Sequence, residues 1–401
     1  PVVIEVCLDA QGAPVQSDSS SLRTVPSEVA SVALPSSIEI NQIRSMLAKS
    51  VKPMLLLGGG LSRQDCAALL PLFEKWGIPV ATTWNAADRM DSGHDLYFGR
   101  PNTWGQRSSN LIIQQADLLI AVGTRLGLQH TGFNWSEFVP NGEVVQIDID
   151  KRELDKGHPK LALAIRADAA STLRLLLEDV SHIPNWSEWC DHARRIRQDL
   201  PLSEEVNGHH QGFLNPFDFA LTLSDLCVSG DTVIPCSSGG AFTVMMQAFN
   251  QKAGQTIITN KGLASMGYGL AGAVGAALAD RTRRAVLVEG DGGFSQNLQE
   301  LATVAVQQLN LKIFIFANNG YASIRMTQKN YFDGAYLGCD IESGLGFPDW
   351  QILAQAFGID SMTLSEGFQS DPGFLESWNN NDPCLYVVPV HPEQTYFPKI
   401  A

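Results

Sequence analysis

The sequence predicts an α/β protein of 401 residues with two doubly wound, mostly parallel-sheet domains. Three observations carry that expectation. Short β-branched and aliphatic runs alternate with stretches whose apolar residues recur at helical spacing. The runs are apolar throughout, as strands covered on both faces must be. Several end in glycine-rich polar turns, namely Gly58-Gly59-Gly60, Ser237-Ser238-Gly239-Gly240, Gly290-Asp291-Gly292-Gly293 and Asn318-Asn319-Gly320. Such turns lie at the carboxyl ends of parallel strands, where open α/β sheets bind ligands. Length agrees, because a single core stops growing at about 250–300 residues.

Taken in order, residues 1–6 read as a buried strand and 10–37 as a Ser/Pro-rich surface linker. The first α/β domain spans 38–182. Helices are expected over 38–49, 64–76 and 108–115, and strands over 53–57, 78–83, 118–122 and 143–149. Helical pattern returns at 169–179 and at 186–200. The latter lies in a linker region, 183–214, whose His209-His210 pair is expected to be solvated. The last domain, 215–401, opens with Pro216 at a helix start. Strands follow over 232–236, 285–289, 312–317 and 384–390, with helices over 216–228, 298–309 and 351–357.

Composition excludes several functions. Apolar residues make up 44% and charged residues 17%, as in a folded globular chain. A net charge of −14 argues against nucleic acid and anionic membranes as partners. The seven cysteines show no Cys-x-x-Cys or zinc spacing, so reduced thiols in a cytoplasmic enzyme are expected. No secretory signal is read at the start. The apolar stretch 262–279 is built from Gly and Ala and opens with a turn, which predicts a core helix and no membrane span. The glycine turn at 58–60 fails the G-x-G-x-x-G spacing because position 63 is Arg. Dinucleotide binding there, FAD for example, is left open but not supported.

The chemistry concentrates in one βαβ unit. Asp291 offers a carboxylate and Asn318 an amide oxygen, hard donors of the kind Mg²⁺ prefers. Mg²⁺ keeps open positions for phosphate oxygens and water, so this pair predicts a metal bound to a diphosphate. Gly292 and Gly293 let backbone N–H groups approach an anion at a helix start. The 237–240 turn is a second candidate diphosphate contact.

On these residues the chain resembles the thiamine diphosphate-dependent enzymes, in the branch of acetolactate synthase, pyruvate decarboxylase and benzoylformate decarboxylase. The likeness consists of GDG, a helix carrying Gln299-Glu300, an apolar strand and then Asn-Asn-Gly-Tyr. It implies thiamine diphosphate and Mg²⁺, with Asp291, Asn318 and the Gly320 carbonyl as metal ligands and Asn319 as the alternative to Asn318. It assigns cofactor contacts to Ser237, Ser238, Gly239, Gly240, Gly290, Gly292, Gly293, Tyr321 and Ala322. Ala264, Ser265 and Met266 join them, in a segment similar to G-L-G-x-M-G. There the Ala264 carbonyl accepts from the aminopyrimidine, and Met266 either wedges under the cofactor or simply fills core. Acetolactate synthases usually carry Gln and His where this chain has Gly240 and Ala241. Residues 123–126, GTRL, match the middle domain, which holds FAD or another ADP-containing ligand in some members. Arg125 there reads equally as a phosphate ligand or a surface charge. Residues 325–332 would lie over the reacting carbon, with Arg325 equally readable as a solvated charge.

The implied activity is decarboxylation of a small 2-oxo acid, pyruvate in the first instance, with transfer of the remainder to a second carbonyl. The alternatives are a lyase that only decarboxylates and a cofactor-binding subunit without turnover. A homodimer or homotetramer is implied for the complete enzyme. The resemblance makes residues 1–6 the last strand of a pyrimidine-binding domain that carries the activating glutamate. No catalytic residue is assigned within the chain, since Glu5 and Glu300 are poor substitutes, and the chain alone is expected to be inactive.

Overall fold

The computed structural model describes residues 5–14, 34–178, 180 and 182–397. The first sheet comprises β1 (Pro53–Leu57), β2 (Val80–Thr82), β3 (Leu118–Val122), β4 (Glu143–Asp148) and β5 (Leu163–Arg166). All its pairs are parallel, in the order β2-β1-β3-β4-β5. Every residue of β1 and β3 is buried, as their unbroken apolar runs require. Flanking helices begin where the sequence supplies a cap. Ser36 and Glu39 close a reciprocal capping box on Ser37–Lys49, and Ser62 caps Arg63–Trp76, which Gly77 ends at φ 61°.

The second sheet comprises β6 (Thr232–Ile234), β7 (Thr256–Ile257), β8 (Ala285–Gly290), β9 (Leu311–Ala317), β10 (Asp360–Thr363) and β11 (Cys384–Pro389). It too is parallel, in the order β10-β11-β9-β8-β6-β7. The chain leaves β6 toward β7 on one side and then returns to β8 on the other. That reversal opens a crevice at the carboxyl ends of β6 and β8. One face of this sheet packs an aromatic cluster in which Phe314 stacks on Tyr386 at 4.6 Å and Phe374 on Trp378 at 5.9 Å. Lys312, 0% exposed near the start of β9, donates to Ser377 O, Asn380 Oδ1 and Asp382 O.

Buried polar groups join the two sheets. Arg100, 1% exposed, donates to the carbonyls of Met246 and Phe249 at 2.7 Å each and to Gln251 Oε1. The first two close the carboxyl end of the helix Gly239–Ala248, where a cation suits the dipole. Asp88 pairs with Arg63 and Arg89 and accepts from the Ile257 N–H at 2.7 Å.

Several local expectations differ from the structure. Of the strand expected over 1–6, residues 1–4 lie outside the described residues, and Glu5 and Val6 are not in a strand. Most of the 10–37 linker, 15–33, also lies outside them. The Gly290–Gly293 stretch is not a pure turn, since Asp291–Phe294 forms one helical turn. The fully buried Phe294 side chain offsets the cost of two helical glycines. The helix Ser187–Asp199 belongs to the first core, because the Trp186 and Trp189 indoles donate to the Ser50 and Pro53 carbonyls. Helix Tyr268–Ala279 is core, and among the described residues no helix is long and apolar enough to cross a membrane. All seven cysteines are free, six of them buried.

Candidate functional site

The turns after β6, β8 and β9 meet at the crevice. Asp291 starts the helical turn that follows β8 and is 1% exposed. Its Oδ1 accepts from the Gly292 N–H at 2.8 Å and its Oδ2 from the Asn318 N–H at 2.9 Å. Burial pushes this carboxyl up to about 7, while the N–H groups of Gly292, Asn318, Asn319 and Gly320 pull the other way. A buried carboxylate ringed by backbone donors has the chemistry to accept an added positive charge.

Asn318 supplies the second donor. Its side chain is buried, and its Oδ1 has no hydrogen-bond partner. Orphaned buried acceptors are rare because each costs about 1–3 kcal/mol. The neighbouring Asn319 is exposed and takes φ 58°, a left-handed conformation that asparagine tolerates. Gly320 is buried, and a Cβ there would lie 2.2 Å from the Cys339 carbonyl oxygen. Among the described residues no three His, Cys, Asp or Glu side chains cluster to hold a metal. A cation at Asp291 would therefore draw on amide, carbonyl and ligand oxygens, the set Mg²⁺ takes on a diphosphate.

The turn after β6 faces this group. Ser237, 1% exposed, donates through Oγ to the Ser265 carbonyl at 2.6 Å, which ties the 237–240 turn to the 262–267 loop. Ser238 is extended and Gly239 takes φ 75° at the start of helix Gly239–Ala248, whose first N–H groups receive no side-chain cap. They are free for an anion. Ala264 is held at φ 55°, and Gly267 accepts from Asn297 Nδ2 at 2.8 Å. Met266 is 41% exposed, which removes the core-filler reading. The Tyr321 ring lies over Gly292, where a Cβ would approach it to 2.3 Å, and Ala322 begins the next helix. Gly290 ends β8.

Some residues behave differently from expectation. Arg325 is not a solvated charge. It is 5% exposed and donates to the Pro392 carbonyl at 2.6 Å, clamping the 391–397 segment beside the Asn318 turn. Arg125 is largely exposed and lines a separate cavity of about 640 Å³ at the carboxyl edge of the first sheet, together with Gly60, Thr124, His130, Asp148 and Lys261. Glu300 accepts from Thr303 Oγ1 on its own helix. His210 stacks on His391 at 3.8 Å and is not in a metal cluster. Two groups at the crevice escaped sequence reasoning. Glu289, 3% exposed, has an Oε2 without a partner and is pushed up to about 7 by burial. Its signal was a lone charge ending an otherwise apolar strand. Tyr396, from the carboxyl-terminal segment, packs on Gly240 and had no sequence signal at all.

Residues 40–176 match the family model described as thiamine pyrophosphate enzyme, central domain, and residues 238–388 the model described as thiamine pyrophosphate enzyme, C-terminal TPP binding domain. The chain is 28% identical over 406 residues to the acetolactate synthase isozyme 1 large subunit of Escherichia coli (strain K12), covering 100% of this chain and 69% of that one. It is 30% identical over 368 residues to the isozyme 2 large subunit of the same organism, covering 90% and 64%. With the acetolactate synthase large subunit of Corynebacterium glutamicum it shares 28% over 396 residues, covering 95% and 61%. The chain thus spans between 61% and 69% of the length of these relatives.

Proposed function

The chain belongs to the thiamine pyrophosphate enzyme family, and from that premise we propose that its second sheet holds thiamine diphosphate through Mg²⁺ to decarboxylate a small 2-oxo acid, pyruvate in the first instance, and join the remaining fragment to a second carbonyl. The observation that carries the reading is the orphaned Asn318 Oδ1 beside Asp291, in a ring of backbone N–H groups at the sheet's switch point. The names of the relatives support the carboligating form.

In this reading Asp291, Asn318 and the Gly320 carbonyl hold the metal. Gly292, Gly293 and the uncapped N–H groups of helix Gly239–Ala248 receive diphosphate oxygens, with Ser237, Ser238 and Gly290 shaping the walls. The Ala264 carbonyl would accept from the pyrimidine amino group, the exposed Met266 would support the cofactor, and Ser265 fixes that loop through Ser237. Tyr321 and Ala322 close the side over Gly292. When bound, the cofactor supplies an acidic ring carbon that adds to carbonyls and accepts the electron pair left by departing CO₂. We propose further that the acid facing the pyrimidine ring comes from outside the two matched domains, in a homodimer or homotetramer, so that this chain alone turns over at least about 10²-fold more slowly than a complete enzyme.

Calorimetric titration with Mg²⁺ and thiamine diphosphate tests the site; no binding by the wild-type chain, alone or with a pyrimidine-binding partner, refutes it. Product analysis with pyruvate decides the chemistry. A C5 acetohydroxy acid supports carboligation, whereas free aldehyde as sole product replaces it with simple decarboxylation.

A further inference from the structure

The 391–397 segment ends at the crevice with a polar group that the proposed function leaves unused. Tyr396 is 7% exposed, and its hydroxyl makes no hydrogen bond. It lies against the Asn318 side chain outside hydrogen-bond geometry and is electrostatically coupled to Asp291 and Arg325. A buried phenol O–H without an acceptor is costly, and proteins rarely keep one without a partner to come.

Its position says what that partner is. A Cβ built on Gly240 would lie 2.5 Å from the Tyr396 Cζ and 2.8 Å from its hydroxyl oxygen. The phenol therefore occupies the volume that a side chain at position 240 would fill, beside the uncapped first turn of helix Gly239–Ala248. Three groups converge there: the free N–H groups of a ten-residue helix, the orphaned Asn318 oxygen and the orphaned Tyr396 hydroxyl. Donors and a metal-suited acceptor around one point fit a diphosphate carrying a divalent cation.

The segment is also held firmly enough to present the group. Thr395 Oγ1 donates to the Val206 carbonyl at 2.6 Å. Phe397 and Asn207 exchange two hydrogen bonds of 2.9 and 2.7 Å. Arg325 donates to the Pro392 carbonyl.

Resting on the reading above, we propose that Tyr396 is a diphosphate ligand: its hydroxyl donates a hydrogen bond to a diphosphate oxygen of thiamine diphosphate and does the work of the side chain that Gly240 lacks. The carboxyl-terminal segment thereby becomes part of the cofactor site.

The test is calorimetric titration of the full chain and of Tyr396→Phe with thiamine diphosphate and, separately, inorganic pyrophosphate, both with Mg²⁺. Tyr396→Phe keeps the ring and its packing, so its apo unfolding midpoint stays level or rises. Binding of both probes should weaken by about ten- to a hundredfold, the loss of one hydrogen bond to a charged acceptor. Equal affinity in the variant overturns the inference, and tighter binding overturns it by making the tyrosine an obstruction to the cofactor. If the wild-type chain binds neither probe, alone or with a pyrimidine-binding partner, both this inference and the functional reading fall. If it binds and Tyr396→Phe matches it, only this inference does.

Discussion

Asn318→Ala separates a ligand-binding site from a structural one, because the two predict opposite signs. In the structure the backbone N–H of Asn318 serves Asp291, a contact alanine keeps. What alanine removes is a buried amide whose oxygen has no partner. Relief of an unsatisfied buried acceptor is worth about 1–3 kcal/mol, and the packing lost with the side chain costs about 1 kcal/mol. The apo protein should therefore hold its stability or gain up to about 2 kcal/mol. Affinity for thiamine diphosphate with Mg²⁺ should fall by about a hundredfold or more, as a metal ligand is lost. Urea denaturation of the apo protein reads the first quantity and calorimetry the second. A variant that loses more than about 1 kcal/mol of stability while binding the cofactor normally would show that Asn318 is an ordinary structural amide.

Gly320→Ala would drive a Cβ to 2.2 Å from the Cys339 carbonyl, which accepts the Tyr321 N–H at 2.8 Å. Overpacking and the broken bond should cost about 2–4 kcal/mol and weaken cofactor binding with it; an unchanged denaturation midpoint would contradict the close approach. Lys312 is held down at about 8 from its ordinary 10.5, chiefly by burial. Between those values the unfolded chain keeps a proton the folded chain has released, so this group makes stability rise as pH climbs through the window. In Lys312→Met that rise should vanish, which denaturation midpoints of both proteins at about pH 7.5 and about pH 10, below the window and well into it, check. Arg100→Met leaves the Met246 and Phe249 carbonyls and Gln251 without their donor. It should destabilise by about 3 kcal/mol, and calorimetric unfolding should split into two transitions; a single transition at the wild-type temperature would discount the bridge.

Much of the architecture was legible because parallel strands covered on both faces cannot hide. β1, β3, β8 and β9 each stand out as apolar runs ending in polar turns. β7 has only two residues and β5 and β10 are part-exposed edge strands, so periodicity has little to register. Asp291 and Asn318 stood out because hard oxygen donors in two turns of one βαβ unit are the pattern a Mg²⁺ site would need. Tyr396 was invisible for the opposite reason. Its position depends on a segment held in place by the distant Asn207 and Arg325, and no local spacing encodes a contact with Gly240. Lys312 looked like the polar start of a strand, whereas three oxygens from the 377–382 segment satisfy its ammonium inside the core.

The guanidinium of Arg100 has a consequence for anyone recombining these proteins. It reaches from the loop that follows β2 to the tail of the helix whose other end borders the crevice. A chimera that takes its amino-terminal half from one relative and its carboxyl-terminal half from another inherits that helix without its anchor unless position 100 travels with residues 246–251. The natural unit of exchange is therefore not the sheet. It is the second sheet together with the loop from Asp88 to Arg100, and a hybrid joined between the sheets should regain stability when residues 88–100 are taken from the same parent as the second sheet.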